Sequence, residues 1–315
     1  MKNNFIILII ITLLTSCTKR EVIFDSEISE NFELALILKL NGKDCLFDSK
    51  TNTLKYSLSE SDLTNFTPLT VFNDYSEIEF NGQLLENNSI NNFGSITLNT
   101  VYPLKITTLD DTRIINFVFT KMPLIQIISF DEIKNEPKTL ARMVINYPEA
   151  FKGTTESFTG IEIRGKSSSW RKKKSYGFKA LVNKDMDNHI DMAYFNMASN
   201  SKWSLDAMYV DESKVRNKTS FEIWKMMEGN NHQGIEGELV ELFVNNKHLG
   251  IYCFNENMNP EHLNLQNSTG ILYKAVDWGD GATLFNTYSH QVSTDNYWDG
   301  WEQKYPETNI NWEPL

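Results

Sequence analysis

Cysteine is scarce in the 315-residue chain, which has three: Cys17, Cys45 and Cys253. Histidine is scarce too, with five scattered along the sequence. No Cys/His grouping has zinc-ligand spacing, which argues against a structural zinc. Cys45 and Cys253 each sit inside an apolar, strand-like pattern. An exported protein could pair them, but their separation into two different regions favours two buried free thiols. An excess of positive charge is also lacking. Thirty Lys and Arg face 41 Asp and Glu, a formal net charge of −11. A general polyanion-binding role is excluded and no nucleic-acid partner is expected, so a phosphate site would have to be a local basic patch. No apolar run approaches the roughly 20 residues that a membrane-spanning helix needs. There is no internal repeat and no low-complexity tract.

Several features are present instead. Met1-Lys2 is followed by the apolar stretch Phe5 to Leu14 and then by Leu14-Thr15-Ser16-Cys17. This pattern reads as a signal peptide. Its end resembles a bacterial lipobox, in which Cys17 becomes the lipidated first residue of the mature protein. An ordinary secretory signal with a chance cysteine is the alternative. The expectation is an exported protein, lipid-anchored to a bacterial membrane at the outer membrane or cell surface. Residues 1–17 are then the lipoprotein signal peptide and 18–30 a polar tether.

From Phe32 onward the pattern is one of short strands, among them FELALILKL, TLKYSLS, SEIEFNG and RIINFVFTK, with Asn41-Gly42 and Asn81-Gly82 as turn signals. Residues 31–122 are expected to form a β-sandwich of immunoglobulin-like size. Lys121-Met122-Pro123 marks a boundary. Beyond it, Asp211-Glu212-Ser213 is expected to open a helix running to about Met227, with Asp211 as N-cap and Gly229 as stop. Val215, Phe221, Ile223, Trp224 and Met227 would form its one-sided apolar stripe. VELFV and GIYCFNE around Asn245-Asn246 predict a β-hairpin. The fold class is therefore α+β.

The stretch GIEIRGKS, Gly160 to Ser167, matches the phosphate-loop pattern G-x-x-x-x-G-K-[ST]. Such a loop must wrap phosphates with its backbone and lead into a helix. Here Ile161-Glu162-Ile163-Arg164 alternates as a strand does, and beyond the match Tyr176, Phe178 and Ala180 alternate too. Strand, polar turn, strand is the better local reading. Residues 161–184 carry eight Lys or Arg against one acid, Glu162. A solvated basic hairpin and a phosphate site are both compatible with that charge.

IEIRGKSSSWRKKKSYGFK resembles the signature of the CotH kinase family, in which an R-G-x-S-S element precedes K-K-S-Y. KWSLDAMYVDESKVRN, VELFVNNKHLGIYCFNENM, ILYKAVDWGD and WEQKYP are similar to later family elements in the family's order. The resemblance covers about residues 123–315, and with the lipobox and sandwich in front it is similar to lipoprotein members from Bacteroidetes. It implies a partial atypical protein-kinase-like domain over 123–315. It also implies use of ATP and Mg and phosphorylation of Ser in secreted or surface protein substrates. On the matching positions, Lys173 is the candidate phosphate-contacting lysine. Lys174 stays open, because alternate residues of a strand face opposite ways. Arg164 would lie at the turn near phosphates. Glu256 would orient the lysine or meet the nucleotide, or else be a plain surface carboxylate. Arg216 would pair a carboxylate, Asn217 would serve structure, and Trp203 and Trp224 would be core.

The family's catalytic Asp, with its nearby Asn, and its metal-holding aspartates match no position here. Asp277, Asp280 and Asp295 do not occupy the family's catalytic positions. The catalytic residues are expected beyond residue 315, and the chain as written is expected to lack kinase activity and to expose apolar faces. The competing expectation is a non-catalytic surface lipoprotein for adhesion or for coat or matrix assembly.

Overall fold

A computed structural model describes residues 38–73, 76–109, 111–147, 155–165, 168–227, 234–260, 263, 265, 270–276, 296–298 and 300–314. The predicted signal peptide, the tether, Lys166, Ser167, Gly229, Asp277, Asp280 and Asp295 lie outside them. The described residues are β-rich with little helix, an α+β fold.

The first part contains β1 (Lys39–Leu40), β2 (Lys43–Asp44), β3 (Leu46–Asp48), β4 (Thr53–Ser57) and β5 (Leu69–Val71), then β6 (Glu77–Phe80), β7 (Gln83–Leu84), β8 (Ser89–Ile90), β9 (Val101–Thr107) and β10 (Thr112–Thr120). They form a four-stranded sheet, β2-β1-β5-β8, and a six-stranded sheet, β3-β4-β10-β9-β6-β7. The Asn-Gly turns do what their composition requires. Asn41 and Gly42 have φ of 52° and 76°, Asn81 and Gly82 of 48° and 82°, the left-handed pair that closes a two-residue hairpin. The two sheets share one core, where Phe66, Phe80, Phe93, Phe117 and Phe119 meet ring on ring. β10 pairs with β4 in parallel, so this is not a purely antiparallel sandwich.

The second part opens with β11 (Leu124–Ser129), β12 (Thr139–Asn146), β13 (Glu156–Arg164), β14 (Ser175–Leu181) and β15 (Lys202–Asp206). The helix α1 (Arg216–Met226) and strands β16 (Gly237–Val244) and β17 (Lys247–Glu256) come next. The strands close into a barrel in the order β11-β12-β13-β14-β15-β17-β16, with β11 and β16 pairing in parallel at the closure. Alternation along each strand fills the interior: Ile161, Phe178, Trp203, Leu205, Tyr252 and Phe254 are all buried in its core. The predicted hairpin is present. Asn245 and Asn246, both with positive φ, turn β16 into β17. β18 (Leu272–Ala275), β19 (Tyr297–Trp298) and β20 (Trp301–Tyr305) form a small sheet in the order β18-β20-β19. Cys45 and Cys253 are both free and buried.

The helix differs from its prediction. It starts at Arg216, not at Asp211. Asp211 instead organises the preceding turn: Oδ1 accepts from the Ser213 amide at 3.0 Å and Oδ2 from the Arg216 amide at 2.9 Å. The carboxylate thus serves the first helical amide from five residues back, which sequence spacing alone reads as a cap. The expected apolar stripe is not buried: no helix residue is, and Trp224 is 44% exposed. No helix among the described residues is long and apolar enough to cross a membrane.

Candidate functional site

The outer face of the barrel carries two parallel rows of side chains. Register places Glu162 opposite Gly177, Gly177 opposite Ser204, Ser204 opposite Asn255 and Asn255 opposite Gly237. This is one row across five strands. The second row lies two residues further along β13, about 7 Å away. It runs from Arg164 through Ser175 to Asp206. The sequence KWSLD builds both rows by alternation: Trp203 and Leu205 point into the barrel, so Ser204 and Asp206 point out.

Between these rows and helix α1 lies a cavity of about 530 Å³. Its polar wall includes Arg164, Ser175, Ser204, Asp206, Asn217 and Asn255. Phe221 from the helix, Ile235 and Met258 supply apolar surface, and Glu256 also borders it. Gly165 turns the chain out of β13 at φ +104°, and a Cβ there would fall 1.8 Å from Ser168 Oγ. Only glycine fits this turn.

Hydrogen bonds tie the cavity together. Asp206 Oδ2 accepts from Asn217 Nδ2 at 3.1 Å and Oδ1 from the Met208 amide at 3.0 Å. Ser175 Oγ accepts the Ala207 amide at 2.9 Å. Arg164, exposed at the rim, donates from Nη1 to Asn257 Oδ1 at 3.3 Å. Glu256 is buried, so the surface-carboxylate reading fails. Its Oε1 accepts the Ala198 amide at 3.1 Å and its Oε2 the Glu236 amide at 3.0 Å.

Arg164 and Glu256 border the cavity, whereas Lys173 and Lys174 do not. The two lysines also do not alternate on a strand, because β14 begins only at Ser175. Lys174 Nζ donates to the Ser169 carbonyl at 2.7 Å. Lys173 Nζ donates to the carbonyls of Ala207, at 3.1 Å, and Ile251, and lies 4.2 Å from the centroid of the Tyr252 ring. It is not paired to Glu256. Burial, then the nearby Lys214, pulls the Lys173 pKa down to about 8, with Asp206 pulling the other way. Arg216 pairs with Asp211 at 3.4 Å, as expected. Trp203 is core, its Nε1 donating to the Asn200 carbonyl at 2.8 Å.

Ser204, Asp206 and Asn255 lie inside the family-like elements but were not singled out as site residues. Alternation in KWSLD is the one signal that exposes the first two. Gly160 to Arg164 lies wholly within β13, so the first five residues of the phosphate-loop match are strand and not a cradling loop. Among the described residues no three His, Cys, Asp or Glu gather to hold a metal ion.

Residues 161–313 match the family model for the CotH kinase protein. This segment belongs to the CotH kinase family. The cavity walls, Arg164 to Met258, lie entirely inside the CotH segment. The CotH match starts within β13, later than the sequence reading placed the family's first residues. β11 and β12 precede it, although they complete the same barrel. No curated protein matches the chain.

Proposed function

We propose that this CotH-family protein is kinase-like, binding ATP with magnesium for phosphorylation of Ser in secreted or surface proteins, and that the site described here supplies nucleotide binding without the family's catalytic aspartates, so that the chain as written does not complete the transfer. The observation that carries the reading is the cavity, whose walls all come from the family segment. The donor set fits a nucleotide's phosphate end. Arg164 offers a guanidinium fork at the rim. Magnesium is held by one or two carboxylates together with phosphate oxygens and water, without a dedicated protein cage. Asp206 is the carboxylate that would hold it. Bound there, the metal would neutralise phosphate charge. Lys173, on the far side of Asp206, is the second candidate cation, Lys174 the third, and Glu256 shapes the wall. We place the protein at a bacterial outer membrane or cell surface, anchored through a lipid on Cys17.

Calorimetric titration of the full chain with ATP, with and without magnesium, tests the site. Transfer of labelled γ-phosphate to a Ser-containing secreted protein tests the reaction. Magnesium-dependent binding that weakens about tenfold in Arg164→Ala is the expected result, and ATP binding in neither condition would sink the reading. Incorporation of labelled palmitate that disappears in Cys17→Ser tests the anchor.

One observation favours a second reading, non-catalytic surface adhesion or coat and matrix assembly. Lys173 and Lys174 both spend their ammonium groups on backbone carbonyls outside the cavity. Magnesium-dependent nucleotide binding would count against it.

A further inference from the structure

Trp170 lies in the turn between β13 and β14 and is 87% exposed. A single exposed apolar side chain is ordinary. This one differs in how it is held and in what flanks it. Ser168–Trp170 is one turn of 3-10 helix. The Arg171 amide donates to the Ser168 carbonyl at 3.1 Å, and Lys174 Nζ to the Ser169 carbonyl at 2.7 Å. The base of the turn is tied to the barrel, where the Tyr252 hydroxyl donates to the Lys174 carbonyl at 3.0 Å. These bonds hold the backbone on both sides of Trp170, and the indole projects from it into solvent. Arg171 and Lys172, next in the chain, are exposed too. Residues 161–184 hold one acid against eight Lys or Arg, and that acid, Glu162, pairs with Lys138 from outside the segment. The local excess of positive charge is therefore not cancelled from within. None of Trp170, Arg171 and Lys172 lines the cavity, so they stand apart from the proposed nucleotide site.

We infer that Trp170, Arg171 and Lys172 form a contact with an anionic lipid surface, made independently of any lipid on the protein. An indole has an apolar body and an N–H donor, which suits the headgroup level of a bilayer, where tryptophan collects. Arg and Lys beside it are drawn to anionic headgroups. The two parts act together, because apolar burial and charge attraction add in interfacial binding. An acidic polypeptide would use the cations but would leave the indole in water. Charge also sets the orientation. The chain as a whole is at −11 and is repelled by an anionic bilayer, so the basic turn is the part that can approach one. A lipid on Cys17, as proposed above, would hold the turn near such a surface and raise its effective concentration there.

The test uses the full chain with Cys17→Ser, which cannot be lipidated there, in sedimentation with vesicles of phosphatidylcholine alone or with about 30% phosphatidylglycerol. This parent should bind the anionic vesicles about tenfold more tightly than the neutral ones, and the preference should fade as salt is raised to about 0.5 M. Trp170→Ala should weaken binding to the anionic vesicles about tenfold. Arg171→Ser with Lys172→Ser should abolish the preference for anionic vesicles. All three positions are exposed, and thermal melts identify any variant that fails to fold. The apolar stretch Phe5 to Leu14 is common to every variant, so differences between variants report the turn. Anionic vesicles bound as tightly by folded Trp170→Ala as by the parent overturn the contact. So does equal binding of both kinds of vesicle by the parent. Binding of poly-glutamate with no binding of either vesicle overturns it too, and makes the turn a site for acidic polypeptides.

Discussion

Lys173 and Arg164 are both cations near the cavity, but they answer differently to pH. Lys173 gives up its proton around pH 8, because burial disfavours its charged form. A guanidinium stays charged throughout the working range of a protein. A phosphate held by Lys173 would therefore lose affinity as pH rises through and beyond 8, whereas one held by Arg164 would not. We expect ATP affinity to change less than about twofold between pH 7 and 9, measured by calorimetry. A fall of tenfold or more over that window would return the phosphate contact to Lys173. The same depressed pKa has a stability consequence. Above pH 8 the folded chain binds fewer protons at Lys173 than the unfolded chain, whose lysine titrates near 10.5. Stability from this group thus rises with pH between about 8 and 10.5. Relative to Lys173→Met, the native protein should gain melting temperature across that interval. A flat difference would mean that the ammonium is not desolvated.

At the scale of elements, helix α1 buries none of its residues and has no side-chain N-cap. An isolated 11-residue helix is marginal in water. Its described ties to the barrel side are polar. Asn217 bonds Asp206, Lys218 Nζ donates to the Gly237 carbonyl at 2.8 Å, and Lys225 pairs with Glu236 at 2.5 Å. Partly exposed contacts of this kind are each worth little, about 0.2–1 kcal/mol for an ion pair. Amides of residues 216–226 should therefore exchange hydrogen much faster than those of β13 to β17. Exchange should quicken further in Asp206→Ala. Protection equal to the barrel's would refute this. The helix also shows where legibility ended. Alternation made β13, β14 and the β16–β17 hairpin readable, because a strand with one face in a core must alternate. The helix start was misread because Asp211 and Ser213 hydrogen-bond locally in a turn with the same composition as a cap. The lysine and glutamate candidates were found by motif, but their surroundings are tertiary. Glu256 is buried because two distant amides converge on it. The Ser204–Asn255 pairing exists only through register between strands about fifty residues apart, which no local pattern encodes.

For the whole molecule, two cores are joined at a seam that is partly ionic. Leu46 from the first part packs with Leu124 and Phe243 from the barrel. Beside them, Lys55 of β4 pairs with Glu241 of β16 at 2.5 Å, and His248 Nε2 lies 2.9 Å from the same carboxylate oxygen. Asp48 Oδ1 accepts the His248 amide at 3.1 Å, and the Ser49 amide donates to the Asn246 carbonyl at 2.8 Å. The Glu241 carboxylate is buried. Burial alone would raise its pKa, but the nearby His248 imidazole and the bond from Lys55 outweigh burial and hold it below the ordinary value of 4.5. A depressed carboxylate stabilises fully above its unfolded value, and the contribution is lost as pH falls through the lower folded value. Removing one partner strands a buried charge, which costs more than the net worth of the pair. Lys55→Met should therefore destabilise the protein by about 1–3 kcal/mol at pH 7 in urea unfolding. The gap between variant and native protein should close as pH falls below the ordinary carboxylate value of 4.5 and Glu241 takes up its proton. Equal gaps at both pH values would mean that Lys55 acts through packing of its alkyl stem, not through its charge. If the barrel and the two-sheet part also unfold in one transition at pH 7 and in two in Lys55→Met, this ion pair is what couples them.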